Sequence, residues 1–214
     1  AMLAFSALIA GSFSLGGLMA NLISPTAFSA LRFLLAAAFV GAAALATGAF
    51  RRQDGRAPWR YLLLGLCLAA YFVLMFEGLK TSPPVTAAAV FTLTPVMAAG
   101  FGWLFLRQRL TGRMALALCV GGVGALWVIF RADLGALMAL EVGRGEVVYF
   151  VGCVAHAAYA PLIRKLNRSE PAVVFTFGMM LAGTALLALY AWPAVLATDW
   201  AALLTEKEAI QKEN

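Results

Sequence analysis

Seven stretches of this chain are each long and apolar enough to cross a lipid bilayer, and that recurrence limits the fold more than any motif does. A helix needs about 20 mostly apolar residues to cross a hydrocarbon core of about 30 Å. The stretches cover roughly 2–23, 26–49, 59–79, 85–106, 112–131, 146–165 and 171–192. Hydrophobic residues make up 63% of the 214 and charged residues only 12%, about half the charged share of an ordinary soluble domain. Water cannot accommodate that much apolar surface. The expected class is an all-α integral membrane protein of about seven transmembrane helices, with the lipid bilayer as its partner.

The boundaries carry physical punctuation. Pro25, Pro58, Pro83, Pro84 and Pro171 stand at or just before helix starts, where a missing N–H costs nothing. The connectors are short, so neighbouring helices should run antiparallel. The chain opens on apolar sequence without a basic leader, so the first helix is expected to be its own insertion signal.

A formal net charge of +6 does not point to nucleic acid, because the basic residues recur as small clusters between apolar runs. Arg51, Arg52, Arg56 and Arg60 follow the second span, Arg107, Arg109 and Arg113 the fourth, and Arg164, Lys165 and Arg168 the sixth. The alternate connectors hold only Lys80, Arg131 and Arg144. This asymmetry puts the N-terminus in the cytoplasm and Asp133, Glu141 and Glu146 outside. Residues 132–145 are too short to span and too apolar to be freely solvated, and read as an interfacial crossover. Residues 205–214 change composition abruptly, with Lys and Glu in place of Arg. They read as a polar tail, either a segment of different origin or a natural solvated end.

Residues 23–37 align with 169–183 at an offset of 146, placing Pro25 on Pro171, Leu35 on Leu181 and Asn21 on Asn167. Five helices separate the copies, so the second enters the membrane inverted, and the Lys/Arg content of the matched connectors inverts with it. Such repeats place substrate near the midplane between the copies.

Three segments resemble the drug/metabolite transporter superfamily, specifically its EamA-type exporters. They are SPTAFSALRFLLAA with its Arg32-Phe33 pair, the run 78–126 containing Thr92-Leu93-Thr94-Pro95, and GEVVYFVGCVAHAAYAPLIRKL at 145–166. The resemblance implies a ten-helix transporter of two inverted five-helix repeats, exporting small organic solutes such as amino acids or related metabolites by alternating access. On that pattern residues 1–131 form a first repeat, 132–145 a crossover and 146–204 a partial second repeat. Two departures stand out. Arg107-Gln108 occupies the place of a Gly-Glu pair common in the family, and the second repeat stops after two helices. The alternative reading is therefore a truncated, non-transporting membrane fragment or assembly module, with a homo-oligomer open in either case. The expected localisation is a bacterial inner membrane.

No nucleophile–base set, metal-ligand spacing or phosphate loop is present, so neither an enzyme nor a cofactor is expected. Cys67, Cys119 and Cys153 each fall within an apolar run and read as packing thiols. Gly121-Gly122-Val123-Gly124 reads as close helix packing, and the sequon at Asn167 as chance. Polar groups within the membrane are functional candidates by default. His156 and Tyr159 are candidates for substrate binding, the histidine alternatively a hydrogen-bonded core residue. Tyr71, Thr92, Thr94, Trp103, Ser12 and Ser14 are further candidates to line a cavity, although Ser and Thr often bond their own helix. Glu77 and Lys80, spaced i,i+3, are either a coupling carboxylate with its cation or an interfacial ion pair. Arg32 reads as a gate or as a side chain snorkelling to the headgroups. Pro95 and Pro161 are expected to interrupt their helices at depth, as hinges or static kinks.

Overall fold

The computed structural model describes residues 24–51, 54–133, 135 and 142–197. The first predicted span, with Ser12 and Ser14, lies outside these residues, as do half of the 132–145 crossover and the polar tail. The described residues form seven helices: α1 (Pro25–Ala46), α2 (Trp59–Leu79), α3 (Pro84–Phe91), α4 (Thr94–Leu106), α5 (Gly112–Ile129), α6 (Arg144–Leu166) and α7 (Ala172–Ala197). Because α3 and α4 are two halves of one apolar span, six spans long enough to cross a membrane lie among the described residues, the second to the seventh of those expected.

Local chemistry sets the ends. Ser24 accepts the Ala27 N–H at 3.2 Å with Pro25 at the first helical position, and Thr111 accepts the Met114 N–H at 3.3 Å to start α5. Each satisfies a donor that the first helical turn leaves open. Arg107 adopts φ +54° and stops α4 in a left-handed cap. The fourth span breaks at Thr92 and Leu93. Pro95 has no N–H to return to Phe91, and the backbone closes instead through tighter bonds, Leu93 N to Val90 O at 3.1 Å and Thr92 N to Ala89 O at 3.1 Å. Pro161 behaves otherwise. It is buried inside α6, which runs uninterrupted from Arg144 to Leu166, so the expectation that both prolines interrupt their helices holds for Pro95 alone. A second internal proline, Pro193, lies in α7.

The centre of the bundle is the antiparallel pair α2–α6, flanked by α7 and α4, and α1 packs along α7. Glycine sets the closest approaches. A Cβ on Gly78 would lie 2.7 Å from the Gly145 carbonyl oxygen, and one on Gly65 2.7 Å from the Gly183 amide nitrogen. Only a missing side chain lets these backbones meet. Phe33 of α1 lies over Gly183, and Phe177 of α7 over Gly41. The run Gly121–Gly124 differs from expectation: no described residue lies within 4 Å of a Cβ placed on Gly121 or Gly124. A Cβ on Gly122 would meet the Val96 side chain of α4 at 3.8 Å, and only Ala125 of α5 is buried, so the run packs a described helix at Gly122 alone.

The starts of α2 and α7 and the ends of α4 and α6 share one end of the bundle, where Lys165 Nζ lies 5.7 Å from the Phe105 ring centroid. The basic clusters therefore gather at one end. Glu77, Lys80, Ser82 and Glu146 mark the other.

Candidate functional site

Two polar assemblies stand out, one at mid-depth and one at the basic end. At mid-depth, α2 contributes Tyr71, α6 contributes Tyr149, Cys153, His156 and Tyr159, and the break between α3 and α4 brings in Phe91 and Thr94. The Tyr71 and Tyr149 hydroxyl oxygens are 3.1 Å apart. The His156 ring lies 4.5 Å from that of Tyr71, 5.7 Å from Phe91 and 5.8 Å from Tyr159, centroid to centroid. Residues 149, 153 and 156 share one face because they recur at helical spacing, and Gly152 on that face lets α2 approach at Tyr71.

Two buried polar atoms here have no hydrogen-bonding nitrogen or oxygen partner: His156 Nδ1 and Thr94 Oγ1. The neighbour of the Thr94 hydroxyl is the Cys153 thiol. An imidazole offers one donor and one acceptor, and an unpaired buried polar group costs about 1–3 kcal/mol.

Of the residues singled out in the sequence, Tyr71, Thr94, His156 and Tyr159 come together here. Thr92 does not join them, because its hydroxyl donates 2.6 Å back to the Ala89 carbonyl. Trp103 is 56% exposed on the outside of α4. Glu77 and Lys80 form an ion pair of 2.8 Å, with side chains 48% and 33% exposed, away from the cluster. Arg32 lies with its guanidinium carbon 4.8, 5.3 and 5.6 Å from the ring centroids of Phe72, Phe76 and Phe28. Tyr149 and Phe91 were not anticipated. Tyr149 sits one turn after the acidic start of α6, a position that resembles a membrane-interface anchor, and Phe91 carries no polar signal.

The assembly at the basic end was missed altogether. Arg60, expected among the solvated charges that set topology, has a side chain 1% exposed and pairs at 2.7 Å with Glu170, 5% exposed. The same guanidinium donates to the carbonyls of Leu166 at 2.6 Å, Arg56 at 2.9 Å and Ala57 at 3.3 Å. Beside it, the Tyr61 hydroxyl donates to the Asp54 carbonyl at 2.8 Å. Burial raises the pKa of the Glu170 carboxyl, but the hydrogen bonds from Arg60 and from backbone N–H groups, with the Arg60 charge, outweigh it and hold the group below its ordinary value. At the opposite end the Ser82 hydroxyl donates to buried Glu146 at 2.9 Å.

Six apolar spans around a core of close helix contacts define a multi-pass α-helical membrane protein. The family model for EamA-like transporters matches residues 1–130, and the chain belongs to that family. It is similar to the uncharacterized transporter YyaM of Bacillus subtilis (strain 168), with 26% identity over 189 residues. That match covers 87% of this chain and 62% of the relative, so the chain spans less than two thirds of the relative's length. A protein of known crystal structure matches with a TM-score of 0.59 at 25% identity, over 89% of this chain and 69% of the other.

Proposed function

We propose that the chain forms the membrane-embedded part of a secondary transporter that exports small organic solutes, amino acids or related metabolites, across a bacterial inner membrane with its N-terminus in the cytoplasm. Solute would engage the cluster of Tyr71, His156 and Tyr159, where the broken fourth span meets α6. Family membership and the transporter relative support the class; the buried His156 Nδ1, without a partner among the described residues beside the helix break, supports the site, since discontinuous helices commonly mark substrate sites in transporters. Tyr71, Tyr149 and Cys153 are almost fully buried, whereas His156 and Tyr159 are half-buried, so solute would reach the cluster from the His156–Tyr159 side.

The observation that carries the alternating-access part is a match in burial between α1 and α7. At the offset of 146, Ser29, Phe33, Ala37 and Gly41 correspond to Phe175, Met179, Gly183 and Leu187, and all eight are buried. The two helices pack antiparallel, as members of an inverted pair should. A symmetric crossing of this kind can rock without losing contact, because each copy presents the same face.

The test is flux in proteoliposomes holding the full chain, with a panel of labelled amino acids and metabolites under imposed proton gradients. The expected outcome is saturable movement of at least one solute, reduced at least tenfold by His156→Ala. Absence of movement for every solute tested would overturn the transport reading.

A further inference from the structure

Among the described residues Arg32 is a cation without an anion. Its Cα lies seven residues into α1, about 10 Å along the helix axis. Among the described residues its guanidinium forms no salt bridge and no hydrogen bond; three phenylalanine rings surround it instead. The described carboxylates are engaged elsewhere. Glu77 pairs with Lys80, Glu170 with Arg60, Glu146 accepts from Ser82, Asp54 from the Arg51 N–H and Asp133 from the Gly135 N–H. Residues 1–23 contain no Asp or Glu at all, so the first span cannot supply a counter-ion.

Cation–π contact gives about 0.5–2 kcal/mol per ring and leaves the five guanidinium N–H donors without an acceptor among the described residues. Charged groups at membrane depth are costly and normally paired. A planar fork of donors with no acceptor is suited to a two-oxygen anion.

The rings also give a direction. Phe28, one turn nearer the helix start, covers the guanidinium on the headgroup side. On the other side Phe72 touches the guanidinium at 4.8 Å and Tyr71 at 5.0 Å, and Tyr71 touches His156 at 4.5 Å. A relay of ring contacts thus links Arg32 to the mid-depth cluster.

We propose that Arg32 is a specificity-determining residue that binds the carboxylate of an amphipathic solute, whose apolar body lies across Phe72 and Tyr71 toward His156. The proposal deepens the transport reading and rests on it for the placement of the solute body, while the anion preference of Arg32 can be read without any transport.

Benzoate and its neutral amide, benzamide, are the probes, because they share ring and shape and differ in charge. Binding is measured by calorimetry on the full chain in dodecyl maltoside at neutral pH, and flux of the same probes in liposomes. Benzoate is expected to bind at least tenfold more tightly than benzamide. Arg32→Gln should bring the ratio to near one, Arg32→Lys should keep a reduced preference, and His156→Gln should weaken both probes alike.

Equal binding of the two probes by the unsubstituted protein would overturn the proposal, and so would an Arg32→Gln protein that keeps the preference. Should Arg32→Gln fail to fold, the contrast in the unsubstituted protein and the Arg32→Lys ratio decide the matter. A preference seen in maltoside but abolished in phosphatidylcholine nanodiscs would assign Arg32 to lipid phosphate and also overturn it. Anion preference without flux would instead overturn transport and leave the Arg32 site standing; flux with an unchanged ratio in Arg32→Gln would do the reverse.

Discussion

At one end of the α2–α6 pair a guanidinium is buried among four acceptors, and at the other two glycine backbones touch. The same two helices are thus joined by different physics at their two ends. The Arg60 end draws its acceptors from three separate segments: the turn before α2, the last carbonyl of α6 and the loop before α7. Those bonds are directional and fail together when any segment moves. Arg60 also satisfies a carbonyl that the end of α6 would otherwise leave open, at the negative pole of its dipole. The Gly78–Gly145 end is held by dispersion and a single Ser82–Glu146 bond, contacts that weaken gradually as helices slide. The comparison makes the basic end a latch and the opposite end a bearing.

The largest effect should come from breaking the latch on one side. Arg60→Met leaves Glu170 buried and unpaired, and should lower stability by about 3–5 kcal/mol, read as the SDS fraction that unfolds the protein in mixed micelles. The double variant Arg60→Met/Glu170→Met should recover most of that loss, because a buried pair exchanged for apolar groups is close to neutral. Failure to recover would mean that the carbonyl bonds, not the ion pair, hold the end.

Next in size is the bearing. Gly145→Ala places a Cβ 2.5 Å from the Gly78 carbonyl oxygen and 2.6 Å from Thr81 Oγ1, and should cost about 1–3 kcal/mol in the same measurement. A neutral result would show that the helices separate there without penalty.

Acid should act on the latch. The folded-state pKa of Glu170 is lowered, so its contribution is complete above the unfolded carboxylate value and is lost as pH falls through the folded one. Melting temperature should therefore fall with acidification below the ordinary glutamate range. Glu170→Gln should flatten that part of the profile, and an unchanged slope would remove Glu170 from the account. The smallest effect belongs to Ser82→Ala, about 0.6 kcal/mol, in line with side-chain hydrogen bonds in other membrane bundles.

The contrast also separates what was readable in the sequence from what was not. Apolar runs gave helix limits closely: 59–79 is matched by α2, and 112–131 by α5 to within two residues. Pro95 signalled the break in the fourth span because a missing N–H is a local event. Pro161 carried the same local signal, yet the packing of α6 around it absorbs the defect. Arg60 shows the limit most plainly. Counting positive charges assigns it to an end of the bundle, but its partner is 110 residues away, and nothing in the spacing of either residue reveals the pair. Within the mid-depth cluster the polar members His156, Tyr71 and Tyr159 were legible as intramembrane polar groups. Phe91 was not, since an aromatic in an apolar run looks like every other core residue until the helix break turns it inward.

The bare surface of α5 bears on the choice of membrane itself. Its 18 residues extend about 27 Å, whereas the 22 residues of α1 extend about 33 Å. With so few described residues against it, α5 is expected to take its tilt and depth from the surrounding lipid, and any thickness mismatch to fall on it before its better-packed neighbours. Acyl-chain length is thus a variable that acts on one helix at a time: short-chain lipids should seat α5 upright, and long-chain lipids should thin locally around it.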